Sequence, residues 1–509
     1  MSPTEALLSE LVSQIQSLRV EAAARDAALR ADLAATAREV AALREANAQS
    51  TSAPLHATVG AEVLAALEAG RQISVAVAPP EGASADETAP VASPDDLARL
   101  GACPTEHALV AAITPLLRAA RGFDEGAPPD PCARVLVNSA RTPWLLDALH
   151  SPLPADQLKR PDLFATWQPF WTGRIDAARG AVGKLAARAL QLDRCAREFY
   201  EAKVGVGELT ESHLGQLVEY HSRVSGPVRG VVFNARAFWL LESVRNLPVA
   251  LTKGEWGARG SRALFRRFFD ALPEPPLVPL LRHVCRTLSV APRSVAAVDE
   301  AIPDGSETPA GAFLGAGGSA RVFRVVAEGA GAAPPAALKV STSLSRAELE
   351  YEFSTLLRAA AAGAPVVPAV ADSLVIFVDG ASGAHRGGGF VLRDVCTRAV
   401  MSSGRRCKAA FASLHALHAA GFAHGDARLP NLVERGNEEF LWIDMRAAGA
   451  GALAAAQRAD ARALAASTLG VAQGSELPAP AGAALVNVPG GGEAAYDALA
   501  AAVWRCKSE

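Results

Sequence analysis

Cysteine is scarce in this chain, and long apolar runs are missing. Seven of the 509 residues are cysteine, an odd number, and no two of them form a Cys-x-x-Cys pair. This pattern argues against structural zinc and a disulfide framework, and it is typical of reduced thiols in an intracellular protein, cytoplasmic or nuclear. Because no run of about 18 apolar residues occurs and the first residues lack a basic region before an apolar one, we expect neither membrane insertion nor secretion.

A strong excess of charge is missing as well. The formal net charge is −3 at pH 7, from 50 Lys and Arg against 53 Asp and Glu. Such a balance gives no global attraction to nucleic acid or to an anionic membrane, so any nucleic-acid binding must be local. At 509 residues the chain exceeds what one hydrophobic core usually supports, and we expect two or three domains.

A heptad-like pattern opens the chain. From Leu8 to Leu43 apolar residues recur at steps of three and four, with charges between them and one stutter near residue 26. The pattern predicts a coiled-coil helix over 1–50, and with it a homo- or hetero-oligomer. The alternative is a single amphipathic helix folded back on the rest of the protein.

A change of composition follows that helix. Residues 51–129 are predicted to form a linker and a helical segment. Within them, 80–97 is rich in Pro, Ala and acidic residues without periodicity, which predicts a flexible, disordered stretch.

The most informative segment is HGDARLPN at 424–431, followed by the apolar stretch FLWID that ends in Asp444. Two carboxylates and an amide at this spacing suit phosphoryl transfer. Asp426 could accept a hydroxyl proton, while Asn431 and Asp444 could hold magnesium against phosphate oxygens. A carboxylate at the end of an apolar stretch also needs a partner, because burying it unpaired is costly.

A glycine-rich turn lies upstream of that segment. The run FLGAGGSARVF at 313–323 reads as strand, turn and strand. Gly315, Gly317 and Gly318 carry no Cβ, so their backbone amides could approach phosphates closely. Val322 would then lie against a nucleotide base.

A lysine and a helical glutamate follow the turn. The strand AALKV at 336–340 carries Lys339, whose ammonium could reach the same phosphates as a point charge. The next segment has helical periodicity and offers Glu348, Glu350 or Glu352 as partner of that lysine. We favour Glu352, which lies one position before the apolar face, with Glu348 as the alternative.

In this order, these features resemble the protein-kinase-like fold over 310–509. The resemblance implies a two-lobed domain that uses ATP and Mg²⁺. It implies Lys339 as the strand lysine, Asp426 as the catalytic base, and Asn431 and Asp444 as the magnesium ligands.

Other positions extend or depart from this resemblance. Arg428 would keep a cation near the transferred phosphate, and Asp460 resembles the aspartate that braces the catalytic loop. The third glycine of the turn is replaced by Ala320, and D-F-G by Asp444-Met445-Arg446. The His-Gly-Asp sequence around Gly425 resembles small-molecule kinases of the aminoglycoside and choline type as much as protein kinases. The identity of the phosphate acceptor therefore stays open.

A second constellation lies in the middle of the chain. Asp162 in one apolar segment, with Glu201 and Lys203 in the next, would share a face if both are strands, because alternate residues point the same way. Two carboxylates could then hold a divalent ion while the lysine orients a water for phosphodiester attack. These residues resemble the restriction-endonuclease-like PD-(D/E)xK superfamily, including Gln216 and Tyr220 on the following helix. The alternatives are a helix running through Glu201, or a degenerate nuclease fold kept as a binding module.

The expected architecture is a multidomain α+β protein, similar to some Crinkler-type proteins. Its predicted parts are a coiled-coil helix at 1–50, a linker and helical segment at 51–129, a nuclease-like α/β domain at 130–275, a helical linker at 276–309 and a two-lobed kinase-like domain at 310–509. The favoured function is ATP-dependent phosphotransfer to Ser or Thr hydroxyls of a protein substrate. The alternatives are a pseudokinase scaffold oligomerised by the coiled coil, and a nuclease-like effector regulated by the kinase domain.

Overall fold

The structure of the protein is a computed structural model. The residues it describes are 52–75, 84–123, 132–138, 145, 159, 161–167, 193, 195–224, 226–244, 247–292, 312–328, 334–436, 439–446, 453–488 and 491–508. The predicted coiled coil at 1–50 lies outside them. The described part contains twelve α-helices and three β-sheets, so the fold is mixed α and β.

In the N-terminal half the strands form one large sheet, and the helices lie around it. In chain order they are α1 (Ser52–Ala69), β1 (Ile73–Val75), α2 (Ala85–Thr88), α3 (Pro94–Gly101), α4 (Glu106–Arg121), β2 (Arg134–Asn138), β3 (Leu163–Trp167), β4 (Glu198–Ala202), α5 (Glu211–Ser222), β5 (Val228–Phe233), β6 (Ala237–Val244), β7 (Leu247–Glu255) and α6 (Ser261–Asp270).

Seven strands form this first sheet, in the order β1-β7-β6-β5-β4-β3-β2. Strands β4 and β5 are parallel, and α5 is the crossover that such a pair requires. Helix α1 packs on α5 through Gly60 and Gly215, where a Cβ on either would collide with the backbone of the other helix. On the opposite side, Trp256, Phe265 and Phe269 form a buried aromatic core with the sheet.

The segment predicted to be flexible, 80–97, instead contains α2 and the beginning of α3 in its described part. Ser84 and Ser93 each accept a hydrogen bond from the amide three residues later, which begins the two helices with capping boxes. The amide of Val91 donates to the carbonyl of Trp256 at 3.1 Å. The prediction was wrong for 84–97, where two of the acidic residues that suggested disorder, Glu87 and Asp96, accept the amides of Ser84 and Ser93 in these capping boxes.

The elements of the C-terminal half form two further sheets and a helical layer. In chain order they are α7 (Leu277–Leu288), β8 (Val290–Pro292), β9 (Phe313–Ala316), β10 (Arg321–Ala327), β11 (Ala336–Ser341), α8 (Arg346–Ala361), β12 (Val375–Val378), β13 (His385–Leu392), β14 (Thr397–Arg398), α9 (Gly404–Ala419), a 3₁₀ turn (Leu429–Asn431), β15 (Leu432–Arg435), β16 (Glu439–Trp442), α10 (Leu453–Leu469), α11 (Ala479–Leu485) and α12 (Gly492–Ser508).

The second sheet has six antiparallel strands, in the order β12-β13-β11-β10-β8 with β9 on β10. Strand β8 pairs with β10, and α7 packs its Leu280, Leu281 and Val284 into the same core as Phe323. Residues 277–292, predicted to be part of a linker, therefore contribute a packed helix and an edge strand to this sheet. The same apolar cluster continues to the first sheet through residues of β4 and α5, so the two sheets share one core.

The third sheet is small and consists of β14, β15 and β16. Trp442 of β16 is fully buried beneath α9 and α10, in a core that also holds Leu414 and Leu464. This layer carries the HGDARLPN segment. Within the described residues, no helix combines the length and hydropathy needed to cross a bilayer.

Candidate functional site

The glycine turn joins β9 to β10. Its Gly317 amide donates to the carbonyl of Ala320 at 2.9 Å, which closes the turn. A Cβ built on Gly315 or Gly318 would meet nothing within 4 Å, whereas one on Gly317 would lie 3.8 Å from Oδ2 of Asp444. The turn therefore lies over Asp444 and faces open space on its other side.

Strand register sets what lies next to the turn. On β10, Val322 pairs with Gly315 on one side and with Lys339 of β11 on the other. Val322 is half-buried and packs against the C-terminal core. Val322 therefore lies beside both the glycine turn and the lysine.

Lys339 is the centre of a buried ion cluster. Its Nζ lies 2.5 Å from Oε1 of Glu352 on α8, and it also contacts Oδ1 of Asp444 beyond β16. The lysine is only 4% exposed. Glu348, the alternative partner, instead caps α8 by accepting hydrogen bonds from Ser345. Glu352 is thus the glutamate that meets the lysine.

Burial and ion pairing have opposite effects on the pKa values of this cluster. Burial disfavours the ammonium of Lys339, but the charges of Glu352 and Asp444 outweigh it and raise the pKa of the lysine. Burial and the nearby Asp444 raise the pKa of Glu352 despite the lysine. Burial also opposes the charge of Asp444, but the lysine prevails and lowers its pKa. Lys339 and Asp444 are therefore the firmly ionised pair.

The backbone of the HGDARLPN segment is held by hydrogen bonds to Asp460 of α10. Its two carboxylate oxygens accept the amides of His424 and Gly425 at 2.6 and 3.0 Å. The ring of His424 bonds the carbonyl of Ile443 at 2.8 Å, and burial lowers the pKa of this imidazole. This last hydrogen bond links His424, which lies near Asp426, to Ile443, which precedes Asp444.

Asp426 is occupied on both of its carboxylate oxygens. Arg428 donates from Nε to Oδ1 at 2.5 Å and from Nη2 to Oδ2 at 2.7 Å, and Asn431 donates to Oδ2 at 3.1 Å. Nη1 of Arg446 is 3.8 Å from the same oxygen. A hydroxyl group approaching Asp426 must therefore compete with Arg428, whose side chain is 39% exposed.

The backbone at Asp444 is left-handed, with φ of 60°. Such a conformation is costly for a residue with a Cβ and is often retained at functional sites. It is held in place because the amide of Ile443 donates to the carbonyl of Asn431 at 3.0 Å and that of Arg446 donates to the carbonyl of His424 at 2.9 Å. The glycine missing at 446 is not needed here, since the left-handed residue is Asp444 itself.

The donor set at Asn431 and Asp444 fits magnesium. The Nδ2 of Asn431 donates to the carbonyl of Asp426 at 2.8 Å, which leaves its Oδ1 as the atom for a cation. One carboxylate and one amide are what Mg²⁺ commonly takes from a protein when phosphates and water supply the rest. Among the described residues there is no group of three or more His, Cys, Asp or Glu that could hold a metal without such help.

The central constellation also comes together. Glu201 lies on β4, which excludes the alternative of a helix through this position. Oδ2 of Asp162, just before β3, accepts the amide of Ala202 at 2.8 Å, and Nζ of Lys203 donates to Oε1 of Glu201 at 2.8 Å. All three predicted residues thus lie at one end of the paired strands β3 and β4.

Helix α5 completes this cluster. Gln216 donates to Oε1 of Glu201 at 2.5 Å, and the hydroxyl of Tyr220 donates to Oε2 at 2.9 Å. Burial, reinforced by the charge of Asp162, raises the pKa of Glu201 to about 8. Protons therefore compete with a bound cation for Glu201 at a higher pH than for an ordinary carboxylate.

Two residues near these sites were not predicted from the sequence. Glu106, the first residue of α4, lies 3.5 Å from Nζ of Lys203. Asp193 forms an ion pair with Arg321 beside the glycine turn. Neither belongs to a motif, and each meets its partner only through the tertiary fold, so no local signal in the sequence marks them.

In comparisons with known proteins, no family model and no curated protein matches this chain.

Proposed function

We propose that residues 310–509 form a kinase-like domain that transfers the γ-phosphate of ATP, with Mg²⁺, to a hydroxyl group. One observation carries the proposal: Lys339 from the second sheet contacts both Glu352 of α8 and Asp444 of the C-terminal layer. Asp444 lies 105 residues from Lys339 in the sequence. Structural packing alone gives no reason to bury two carboxylates around one lysine, since apolar residues would serve as well.

Each of these residues has its own role in phosphate transfer. The α- and β-phosphates are bound by the ammonium of Lys339 and by the glycine turn, through amides other than the Gly317 amide that closes it. Asp426 orients the acceptor hydroxyl and takes its proton as the oxygen bonds to the γ-phosphorus and the bond to the departing ADP breaks. Arg428 moves from Asp426 toward the transferred phosphate, which keeps a cation beside the developing charge. Catalysis then rests on positioning and on charge neutralisation.

Asn431 and Asp444 would hold the magnesium ion. When bound, it supplies positive charge that neutralises phosphate oxygens. In the absence of nucleotide, Lys339 supplies the positive charge beside Asp444. We further propose that the acceptor is a Ser or Thr hydroxyl of a protein, and that the predicted coiled coil at 1–50 makes the protein an oligomer.

Transfer of radiolabelled γ-phosphate tests this function. Wild type is offered protein, nucleoside and choline-like acceptors with ATP and Mg²⁺, beside Asp426→Asn. Asp394→Asn is the matched control, because Asp394 pairs with Arg435 outside the cluster at 2.7 Å. We expect transfer by wild type and control, and its loss in Asp426→Asn. Equal transfer by all three would remove Asp426 from the mechanism.

A pseudokinase scaffold is the alternative that the departure at Ala320 favours. It predicts nucleotide binding without transfer to any acceptor. A magnesium-dependent rise in melting temperature with ATP, together with no labelled product, is the outcome that supports it.

A second candidate function belongs to the central cluster. The hydrogen bonds of Asp162 with the amide of Ala202, and of Lys203 and Gln216 with Glu201, favour metal-dependent phosphodiester cleavage of nucleic acid. Plasmid DNA is incubated with Mg²⁺ or Mn²⁺ and with wild type or Lys203→Ala. Lys253→Ala is the control, because that lysine lies over Trp239 on another strand. Cleavage that persists in Lys203→Ala rejects this site.

A further inference from the structure

Arg321, the first residue of β10, forms hydrogen bonds with the backbone of the glycine turn. Its Nη1 donates to the carbonyl of Gly317 at 2.7 Å and to that of Ala320 at 2.9 Å. The arginine is only 8% exposed. The turn that lies over Asp444 is therefore fixed by a buried guanidinium as well as by its own backbone hydrogen bond.

The counter-ion of that guanidinium comes from the other half of the chain. Asp193, which precedes β4, accepts from Nε of Arg321 at 2.5 Å and from Nη2 at 2.8 Å. The two side chains are 15% and 10% exposed, respectively. Burial raises the pKa of Asp193, and the arginine opposes that rise. The pair is bidentate and partly desolvated, which is the geometry in which an arginine is held most firmly.

The geometry uses four of the five N–H donors of the arginine. Four hydrogen bonds leave the guanidinium, two to the carboxylate of Asp193 and two to carbonyls of the turn. A lysine has a single ammonium and cannot match this planar arrangement. Loss of the carboxylate would free the guanidinium to rotate, and the carbonyls of Gly317 and Ala320 would lose the donor that orients them.

We infer that Asp193 and Arg321 are positioning residues for the nucleotide, so that the central domain sets the shape of the phosphate-binding turn. The inference rests on the proposed function of the kinase-like domain. The apolar core shared by the two sheets supports it, because a rigid connection is needed if a residue before β4 is to hold a turn before β10.

Equilibrium binding of ATP with Mg²⁺ to the full-length protein tests the inference. Asp193→Asn keeps the shape of the side chain and removes its charge. We expect ATP to bind roughly tenfold more weakly, because a hydrogen-bonded charge is lost from the clamp. The maximal rate of transfer at saturating ATP should stay near that of wild type, since neither residue touches the reacting groups. Arg321→Lys should weaken ATP binding by a similar factor despite keeping its charge.

Glu274→Gln is the matched control. Glu274 forms a bidentate pair with Arg282 on the neighbouring α7, at 3.1 Å for both contacts, and does not contact the turn. Glu274→Gln also removes a carboxylate from a bidentate arginine pair, so an effect of that change alone would appear in the control as well. An effect on ATP affinity confined to Asp193→Asn and Arg321→Lys supports a positioning role.

The outcomes separate this inference from the proposed function. If wild type does not bind ATP, the proposed function fails and this inference fails with it. If wild type binds and Asp193→Asn binds equally well, the inference is overturned while the proposed function stands. If Asp193→Asn does not fold, Arg321→Lys decides by the same comparison.

Discussion

Replacing Lys339 by Met should destabilise the protein before any nucleotide is involved. The lysine is 4% exposed, and it alone among the described residues bridges Glu352 and Asp444. Its loss leaves two carboxylates close together, the side chain of Glu352 being 7% exposed and that of Asp444 25% exposed. Removing one partner of a buried ion pair usually costs about 3–5 kcal/mol. We expect a loss of this size in the free energy of unfolding.

The loss of unfolding free energy in Lys339→Met should depend on pH. Burial raises the pKa of Glu352 even beside the lysine, and removing the lysine should raise it further. A carboxyl group whose pKa is raised in the folded state contributes stability at low pH, and this contribution is lost as pH rises. The defect of Lys339→Met should therefore be smaller at pH 5 than at pH 8.

Urea unfolding of the full-length protein, followed by circular dichroism at both pH values, measures this effect. The double variant Lys339→Met/Glu352→Gln removes one of the stranded charges and should recover part of the lost stability, with a coupling energy of about 0.5–3 kcal/mol. A loss below about 1 kcal/mol, or the same loss at pH 5 and pH 8, would contradict the burial argument.

Three further predictions concern single residues. Gly425→Ala should cost about 1–2 kcal/mol more than Gly421→Ala in thermal unfolding, because both glycines are left-handed but a Cβ at 425 alone meets a carbonyl, at 2.9 Å. Mn²⁺ binding at the central cluster should strengthen as pH rises from about 7 to 9, since the pKa of Glu201 is about 8, and titration calorimetry of Glu201→Gln should show no such dependence. Arg428→Ala should slow transfer about a hundredfold and Arg428→Lys less, in steady-state assays, because a cation beside the phosphate is lost or only displaced; equal rates for the two variants would contradict this.

The C-terminal cluster could be predicted because each of its members lies in a local pattern. The place of Glu352 beside the apolar face of α8 favours it over Glu348. The structure gives the reason, since Ser345 and Glu348 form the capping box that starts the helix. Asp444 ends an apolar stretch, where an unpaired charge is costly, so a partner had to exist.

Other features were not predictable because their signal is non-local. The predicted central domain began at residue 130, yet β1 at 73–75 forms an edge of its sheet by pairing in parallel with β7, far along the chain. Asp193 and Glu106 contribute through contacts across the fold rather than through spacing in the sequence. At 84–97 the composition suggested disorder, but two capping boxes decided the structure.

Binding of ATP in the presence and absence of Mg²⁺, measured by calorimetry on wild type and Asp444→Asn, tests the central claim most directly. The arrangement of Lys339, Asn431 and Asp444 predicts that wild type binds ATP with a strong requirement for Mg²⁺, and that Asp444→Asn loses this requirement together with most of the affinity. Failure of wild type to bind ATP, or identical magnesium-dependent binding by both proteins, would contradict it.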